Sequence, residues 1–328
     1  MREVAVEVSE PKVTVIIPSY NYGHFVGEAI QSVLDQSLQE WELIVVDDGS
    51  TDNTREVVAA FADPRIHYVY QQNRGNPAAR NAALRLARGQ YVAFLDADDV
   101  WFPEKLERQV AQLDSLPPTV GLLYSDVYLF NNEDGAIIRR FMQGRRPPQG
   151  RILRELLDTE GWFISDTGSL IRREVFQRVG LYDESLWWYE DWEMWVRIAA
   201  AYEVVAMDEP VARCRRHSAN LSKAPEGMFH HGQAARRKVM ASYPLSREER
   251  RALEHNLAHH EYLYGIDQLL LGKRREAWAA FRRSLRLRPG ERKTYIHLGL
   301  PLLSPRLYEF LHRSYSMVKQ RLSPARQA

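Results

Sequence analysis

The sequence predicts an α/β fold, a mostly parallel β-sheet flanked by helices, followed by an α-helical C-terminal region. Three observations predict it. Apolar runs rich in β-formers alternate with segments of helical spacing through the first 115 residues. Those runs are continuous rather than alternating, as parallel strands covered on both faces require. From about residue 227 onward the pattern is wholly helical.

The first strand is "VTVIIPSY" at 13–20, and Phe25, Ala29, Ile30, Val33 and Leu34 then recur at helical spacing. "WELIVVDD" at 41–48 is the second strand, after which Asp48-Gly49-Ser50 reads as a turn with Asp52 capping the next helix. "RIHYVYQQ" at 65–72 and "YVAFLDAD" at 91–98 are the third and fourth strands, separated by a helical pattern from Ala78 to Ala87. Ligands bind beyond the carboxyl ends of the strands in such sheets. The polar residues Ser19 to Asn21, Asp47 to Ser50 and Asp96 to Asp99 are therefore expected to converge on one crevice.

"VGLLYSDVYLF", "NNEDG" and "AIIRRFM" then predict a hairpin, ended by Pro147, Pro148 and Gly150. A short helix near Ile152 to Leu157 precedes "ISDTGSLIRREVFQRVG", a small-residue turn leading into a helix that closes at Gly180. "EDWEMWVRIAAAY" at 190–202 is a helix with Asp191 in its first turn, its start expected beside the same crevice. In the helical C-terminal region, Gly265, Ala277, Phe281, Ser284 and Pro289 fall at the offsets of one tetratricopeptide unit. One such unit cannot bury its own apolar face, so it is expected to pack on neighbouring structure. Further on, Leu300, Leu302, Leu303, Leu307, Phe310 and Leu311 form an apolar stripe among Arg306, Arg313, Lys319 and Arg321.

The 328 residues suit one large α/β domain with an appendage. With 45% hydrophobic and 27% charged residues, and no apolar run of 18 or more, the composition is that of a soluble protein. "MREVAVEVSEPKVTV" has acidic residues where a secretory signal has its apolar segment, and a cytoplasmic location is expected. The single Cys214 excludes an internal disulfide framework and a multi-cysteine zinc site. The net charge of +1 hides an asymmetry: residues 213–328 hold 24 Lys and Arg against 9 Asp and Glu, and residues 1–212 hold 20 against 34. An acidic front half suits a cation site, and a basic rear suits an anionic partner such as a membrane surface. No zinc-finger spacing, aromatic RNA-binding signature or basic-region heptad supports nucleic acid in that role.

Asp96, Asp98 and Asp99 crowd the end of the fourth strand. Their repulsion and desolvation raise their pKa values unless something positive compensates, so a cation or donor array is expected there. Taken alone, the turn reads as a surface feature with Asp99 capping a helix that starts near Pro103.

Seven motifs in order over roughly residues 12–220, "VIIPSYN", "VVDDGSTDNT", "NRGNPAARNAAL", "FLDADD", "TGSLIRREVFQRVG", "YEDWEMWVR" and "RRHSANLS", resemble family two glycosyltransferases, inverting nucleotide-sugar enzymes with the A-type fold. The resemblance implies a transferase domain over 1–225, with a nucleotide-binding half at 12–115 and an acceptor half at 116–225, and a helical region at 226–328. It implies that Pro18, Tyr20 and Asp47 or Asp48 hold the base, whose ring N–H a carboxylate can accept, with Arg80 near the base and its acid. It places Asp96 on the ribose hydroxyls and Asp98 on a Mn²⁺ or Mg²⁺ ion that bridges to the donor diphosphate, with Asp99 behind them or capping a helix. His217 joins the metal or a phosphate oxygen, with Arg215 and Arg216 nearby. Asp191 matches the base that deprotonates the acceptor hydroxyl, with Glu190 as its partner; by position alone Asp191 would be a helix cap. Trp187, Trp188, Trp192 and Trp195 read as packing residues, with one or two available to line an acceptor pocket.

The function implied is transfer of a sugar from a nucleotide-diphosphate sugar to an acceptor hydroxyl on a saccharide or lipid-linked saccharide, in polysaccharide or glycolipid assembly. An oxidoreductase would need a G-x-G-x-x-G turn after the first strand, which "PSYNYGHF" lacks. The remaining alternative is a non-catalytic helical interaction protein built on an inactive transferase domain, disfavoured by the intact Asp96, Asp98 and Asp191.

Overall fold

The computed structural model describes residues 10–144, 146–159, 163–217 and 225–303, with side chains left out at 225–226 and 299–303. The chain forms two compact units, residues 1–231 and 232–328. In the first, β1 (Val13–Ser19), β2 (Trp41–Asp47), β3 (Ile66–Tyr70) and β4 (Tyr91–Phe94) form the parallel array β3-β2-β1-β4. α1 (Val26–Leu34), α2 (Thr54–Ala59) and α3 (Asn76–Leu86) connect them. Every residue of β1, β2 and β4 is buried, the burial that the continuous apolar runs predict. Pro18 is tolerated inside β1 because it lies two residues past the last β1–β4 pair, Ile16 with Phe94, so no ladder bond is lost on that side.

Beyond β4 the sheet becomes mixed. β5 (Val100–Trp101), α4 (Lys105–Asp114), β6 (Val120–Asn131), β7 (Ile137–Arg140), α5 (Leu153–Thr159), β8 (Ser169–Arg172), α6 (Arg173–Val179), α7 (Glu190–Ala201) and β9 (Glu203–Arg216) follow in order. The path continues β4-β8-β6-β9-β5, with β7 paired to β6 in the expected hairpin. β8 is antiparallel to both β4 and β6, whereas β9 runs parallel to β6. The α/β class therefore holds, with the parallel character concentrated in the first four strands.

β8 and β9 have no counterpart in the sequence reading. β8 has only four residues and runs directly into α6. β9 carries Asp208, Glu209 and Pro210 at its centre, a pattern that does not read as a strand. The structure accommodates Pro210 where the β6–β9 register shifts, between the pairs Ser125–Met207 and Asp126–Pro210.

The helix expected near Pro103 starts at Lys105, with Glu104 as its N-cap. Asp99 is thus not its cap: the chain between them extends as β5 to pair with β9. Nor is Asp52 the cap of its helix: Asn53 is the N-cap of α2, while Asp52 accepts from the Thr54 N–H at 3.0 Å and, across the loops, from the Gly23 N–H at 2.9 Å.

α8 (Pro225–Ser242) leads into the second unit, where α9 (Arg247–Leu270), α10 (Arg274–Leu287) and α11 (Arg292–Leu303) follow. α9 opens on a capping box between Ser246 and Glu249. Gly265 lies mid-helix because a Cβ there would meet the fully buried Phe281 ring of α10 at 2.5 Å. Glu261, 1% exposed, is held by Arg237 at 3.1 Å and Arg283 at 2.8 Å. The C-terminal stripe from Leu307 on, with Arg306, Arg313, Lys319 and Arg321, lies outside the described residues, as do residues 218–222 of "RRHSANLS".

Candidate active site

The ends of β1, β2, β4 and β9, the starts of α3 and α7 and the loop before β8 supply the site. After β1, Asn21 takes a left-handed φ of 59°, a conformation that asparagine tolerates better than most residues. This lets its Oδ1 accept the Thr51 N–H at 2.8 Å while its own N–H donates to Ser50 Oγ at 2.9 Å. The loops after β1 and β2 are thereby joined. Tyr20 is 45% exposed beside them, and Pro18 is buried within β1.

Asp47 and Asp48 are 2% and 4% exposed, and both hold protein groups. Asp47 accepts the Ser50 N–H at 2.8 Å and the Tyr68 hydroxyl at 2.6 Å. Asp48 accepts Gln71 Nε2 at 2.7 Å and the N–H groups of Arg74 and Gly75 at 2.9 and 2.8 Å. Gly49, at φ 84°, has no room for a side chain, since a Cβ would lie 2.8 Å from the Asn73 nitrogen.

Arg80 projects from α3 into a ring of carboxylates. Its Nη1 lies 2.5 Å from Asp166 and 3.9 Å from Glu190, and its Nη2 lies 3.6 Å from Asp96. Its guanidinium also stands over the rings of Phe94 and Tyr182. Among the described residues no ion pair links Arg80 to Asp47 or Asp48. Asp166, in the loop before β8, is a member of this ring that the sequence reading missed. It also accepts the Trp195 indole N–H at 3.2 Å.

Glu190 and Asp191 open α7 directly after Tyr189, a non-glycine residue at φ 66°. Glu190 accepts Asn76 Nδ2 at 3.1 Å. Burial pushes its carboxyl up, with Arg80 opposing. Asp191 is pushed up to about 8, first by burial and then by Glu190 and Asp166. That poises it to exchange a proton near neutral pH.

The three acids after β4 differ in role. The Asp96 side chain is 45% exposed in the crevice. Burial and then Asp99 push its carboxyl well above the ordinary range. Asp99 is pushed up to about 7 by burial and then Asp98, and braces its surroundings by accepting Thr167 Oγ1 at 2.7 Å and the Arg215 N–H at 2.9 Å. Asp98 Oδ2 lies 2.9 Å from His217 Nε2.

The His217 ring packs against Phe25, centroid to centroid 5.0 Å, and is edge-on to Tyr22. The Tyr22 hydroxyl is itself pushed up, by burial and then by Asp98. Arg215 fixes β9 against this turn. It donates Nε to the Asp98 carbonyl at 2.8 Å, reaches Asn132 and Glu28 with its other nitrogens, and stands over the Phe25 and Phe130 rings. An open pocket of about 150 Å³ lies here, lined by Asp96, Asp98, Asp99, Cys214, Arg215 and Arg216 among others.

Among the described residues no group of three or more His, Cys, Asp or Glu side chains is placed to hold a metal ion by itself. Asp98 and His217 offer one oxygen and one nitrogen donor, a set that fits Mn²⁺ and, less fully, Mg²⁺, provided that a ligand and water complete the coordination.

The chain is similar to known glycosyltransferases. An uncharacterised glycosyltransferase of Nostoc sp. is 33% identical over 219 residues, covering 64% of this chain and 66% of its own length. The putative teichuronic acid biosynthesis glycosyltransferase TuaG of Bacillus subtilis is 51% identical over 104 residues, 31% of this chain and 41% of its own. The Escherichia coli enzyme WfgD, a UDP-Glc:α-D-GlcNAc-diphosphoundecaprenol β-1,3-glucosyltransferase, is 38% identical over 143 residues, 43% of this chain and 55% of its own.

Among solved structures, S. aureus TarS 1–349 superposes with a TM-score of 0.62 at 20% identity, covering 85% of this chain and 81% of its own. The Pyrobaculum calidifontis mannosyltransferase PcManGT, solved with GDP-Man and Mn²⁺, gives 0.59 at 20% identity over 97% and 88%. Residues 14–180, which run from the second residue of β1 past β8 and contain every acid of the turn after β4, match Glycosyl transferase family 2, and the chain belongs to that family.

Proposed function

We propose that the protein transfers a sugar, with inversion, from a nucleotide-diphosphate sugar to an acceptor hydroxyl. The observation that carries this reading is the arrangement of Asp191, its pKa raised, directly beside Glu190, which shares the ring around Arg80 with Asp96 and Asp166, while Asp98, on the same turn as Asp96, meets His217 from the end of β9. Asp191 takes the acceptor proton as the hydroxyl attacks, and a base with a pKa near the working pH is the efficient choice. Glu190 acts on Asp191 by repulsion and is itself held by Asn76 and Arg80. Asp96 takes the ribose hydroxyls in this reading. A bound Mn²⁺ or Mg²⁺ at Asp98 and His217 would supply charge stabilisation to the leaving diphosphate. Support comes from TarS, solved with UDP-GlcNAc, and from PcManGT, solved with GDP-Man and Mn²⁺.

On the base side, Tyr20 offers an exposed ring. Asp48 uses three of a carboxylate's roughly four acceptor positions on the 71–75 loop and Asp47 two on Ser50 and Tyr68, which favours Asp47 for reading a ring N–H. A thermal-shift panel of UDP-, GDP- and TDP-sugars with Mn²⁺ tests the reading. One base class at about 100 times its Kd is expected to stabilise the protein by roughly 2.7 kcal/mol. No shift with any donor would return the chain to the non-catalytic alternative.

The setting we propose is polysaccharide or glycolipid assembly on a saccharide or lipid-linked acceptor, as the names of TuaG and WfgD suggest for those relatives. Among the described residues no helix is long and apolar enough to cross a membrane. Arg274, Arg275, Arg282 and Arg286 are exposed on α10, and the basic excess of residues 213–328 suits peripheral docking at the cytoplasmic face of an anionic membrane, at about 1 kcal/mol per basic residue near the surface. The helix pair α9–α10, with Gly265 against Phe281, fits the tetratricopeptide-like reading of this region. Sedimentation with anionic liposomes at low salt, lost at high salt or with neutral lipid, is the expected result. Binding that ignores lipid charge and salt, or none, rejects the docking.

A further inference from the structure

Four tryptophans surround the Glu190–Asp191 pair in sequence, and the structure separates them. Trp192 and Trp195 are 1% and 5% exposed and donate their indole N–H groups to the Leu156 carbonyl and to Asp166. Trp188 packs over Gly227 and the edge of His231. Trp187 is 56% exposed.

Its Cδ2, Cε2 and Cε3 atoms are each 3.7 Å from the point where a Cβ on Gly75 would stand. Equal distances to three atoms of the six-membered ring put that point over the ring, so the indole lies flat on Gly75 with its other face open. Gly75 donates its N–H to Asp48, and its neighbour Asn76 donates to Glu190. The platform therefore joins the crevice wall between the loop after β2 and the start of α7. Tyr189 reinforces this: a tyrosine at φ 66° is in a backbone conformation that persists only where the surrounding structure sustains it. That turn stands between the exposed Trp187 and the buried Glu190.

An open aromatic face in a polar cleft fits a pyranose, whose C–H face packs on the ring while its hydroxyls remain at the rim. Resting on the transferase reading above, we propose that Trp187 is the stacking platform for a pyranose ring of the acceptor. The acceptor is favoured over the donor sugar because Trp187 belongs to the segment that carries the proton-accepting Asp191, whereas the diphosphate side of the site lies at Asp98 and His217.

Saturation-transfer NMR on the full chain with a panel of methyl pyranosides and short oligosaccharides, without donor, tests this. At least one is expected to receive saturation at its ring C–H protons from the wild type, to lose it in Trp187→Ala and to keep it in Trp187→Phe. Acceptor KM in Trp187→Ala should rise about tenfold, with the donor-induced thermal shift unchanged. A wild type that saturates no saccharide, or a Trp187→Ala protein that saturates them equally, overturns the platform. A weakened donor shift in Trp187→Ala assigns the ring to the donor sugar and overturns the acceptor assignment. Saccharide binding with no donor shift in the wild type would instead leave the platform standing and reject the transferase reading.

Discussion

Asp191→Asn is expected to bind donor and metal nearly as the wild type does and to lose transfer by about 10²- to 10⁴-fold. The amide keeps the side chain's shape and can still accept the Trp192 N–H, which Asp191 holds at 2.6 Å, but it cannot accept the acceptor's proton. The loss should therefore fall on kcat rather than on donor affinity. The pH dependence carries the same assignment. A base must be deprotonated to act, so with the carboxyl of Asp191 pushed up to about 8, kcat/KM should rise with pH and level off above about 8, and the variant should lack that limb.

The stability consequence has the opposite sign. The folded state holds a proton that the unfolded chain, with an aspartate pKa of ~3.9, has released, so this group's contribution to stability falls as pH rises from there to about 8. Because Glu190 and Asp166 act on the same proton, the limb reports the group of acids rather than one side chain. Transfer within a few-fold of wild type at saturating substrates would reduce Asp191 to a helix cap.

Asp98→Ala is expected to abolish Mn²⁺-dependent donor binding, leaving only the affinity measured without metal. Asp98 is 9% exposed and bonded to His217, so its removal is not neutral by default. Losing a buried hydrogen bond costs about 1–3 kcal/mol. Against that, Asp98 is a source of the repulsion that raises Asp96 and Asp99, and deleting it relieves both. The two effects offset, and the fold should persist. Asp98→Asn, which keeps shape and a partner for His217, serves as the control for folding. Calorimetry that finds the Mn²⁺-dependent donor affinity unchanged in both variants would remove Asp98 from the metal site.

The parallel half was legible in the sequence because buried parallel strands leave continuous apolar runs, and Val13 to Ser19 or Trp41 to Asp47 can hardly be read otherwise. Asp98 and His217 were legible through motifs, and the structure brings them together across a sequence separation of 119. Asp166 was not legible. In "ISDTGS" it has the composition of any turn, and its significance comes from Arg80, 86 positions earlier in the chain. Asp99 was open to misreading for the same reason: its proximity to a coming helix is a local signal, whereas its partners Thr167 and Arg215 are set by the sheet. β9 escaped because a strand with a proline at a register shift lacks the periodicity that a central strand usually shows. Trp187 and Trp192 have the same residue type and adjoining motif context, and only tertiary packing puts one outside and the other inside.

Arg215 fastens the last strand of the sheet onto the turn that follows the fourth. The order of events during synthesis follows from this. The parallel array and its acids can form from the first hundred residues with short-range connections, but the Asp98–His217 contact cannot exist until β9 has emerged and paired with β6 and β5. Closing contacts of such high sequence separation is slow, because chain entropy is lost before they reward it. The contact between Asp98 and His217 is thus among the last that the first unit acquires as it folds, and every shorter nascent chain carries the acidic turn without that histidine beside it.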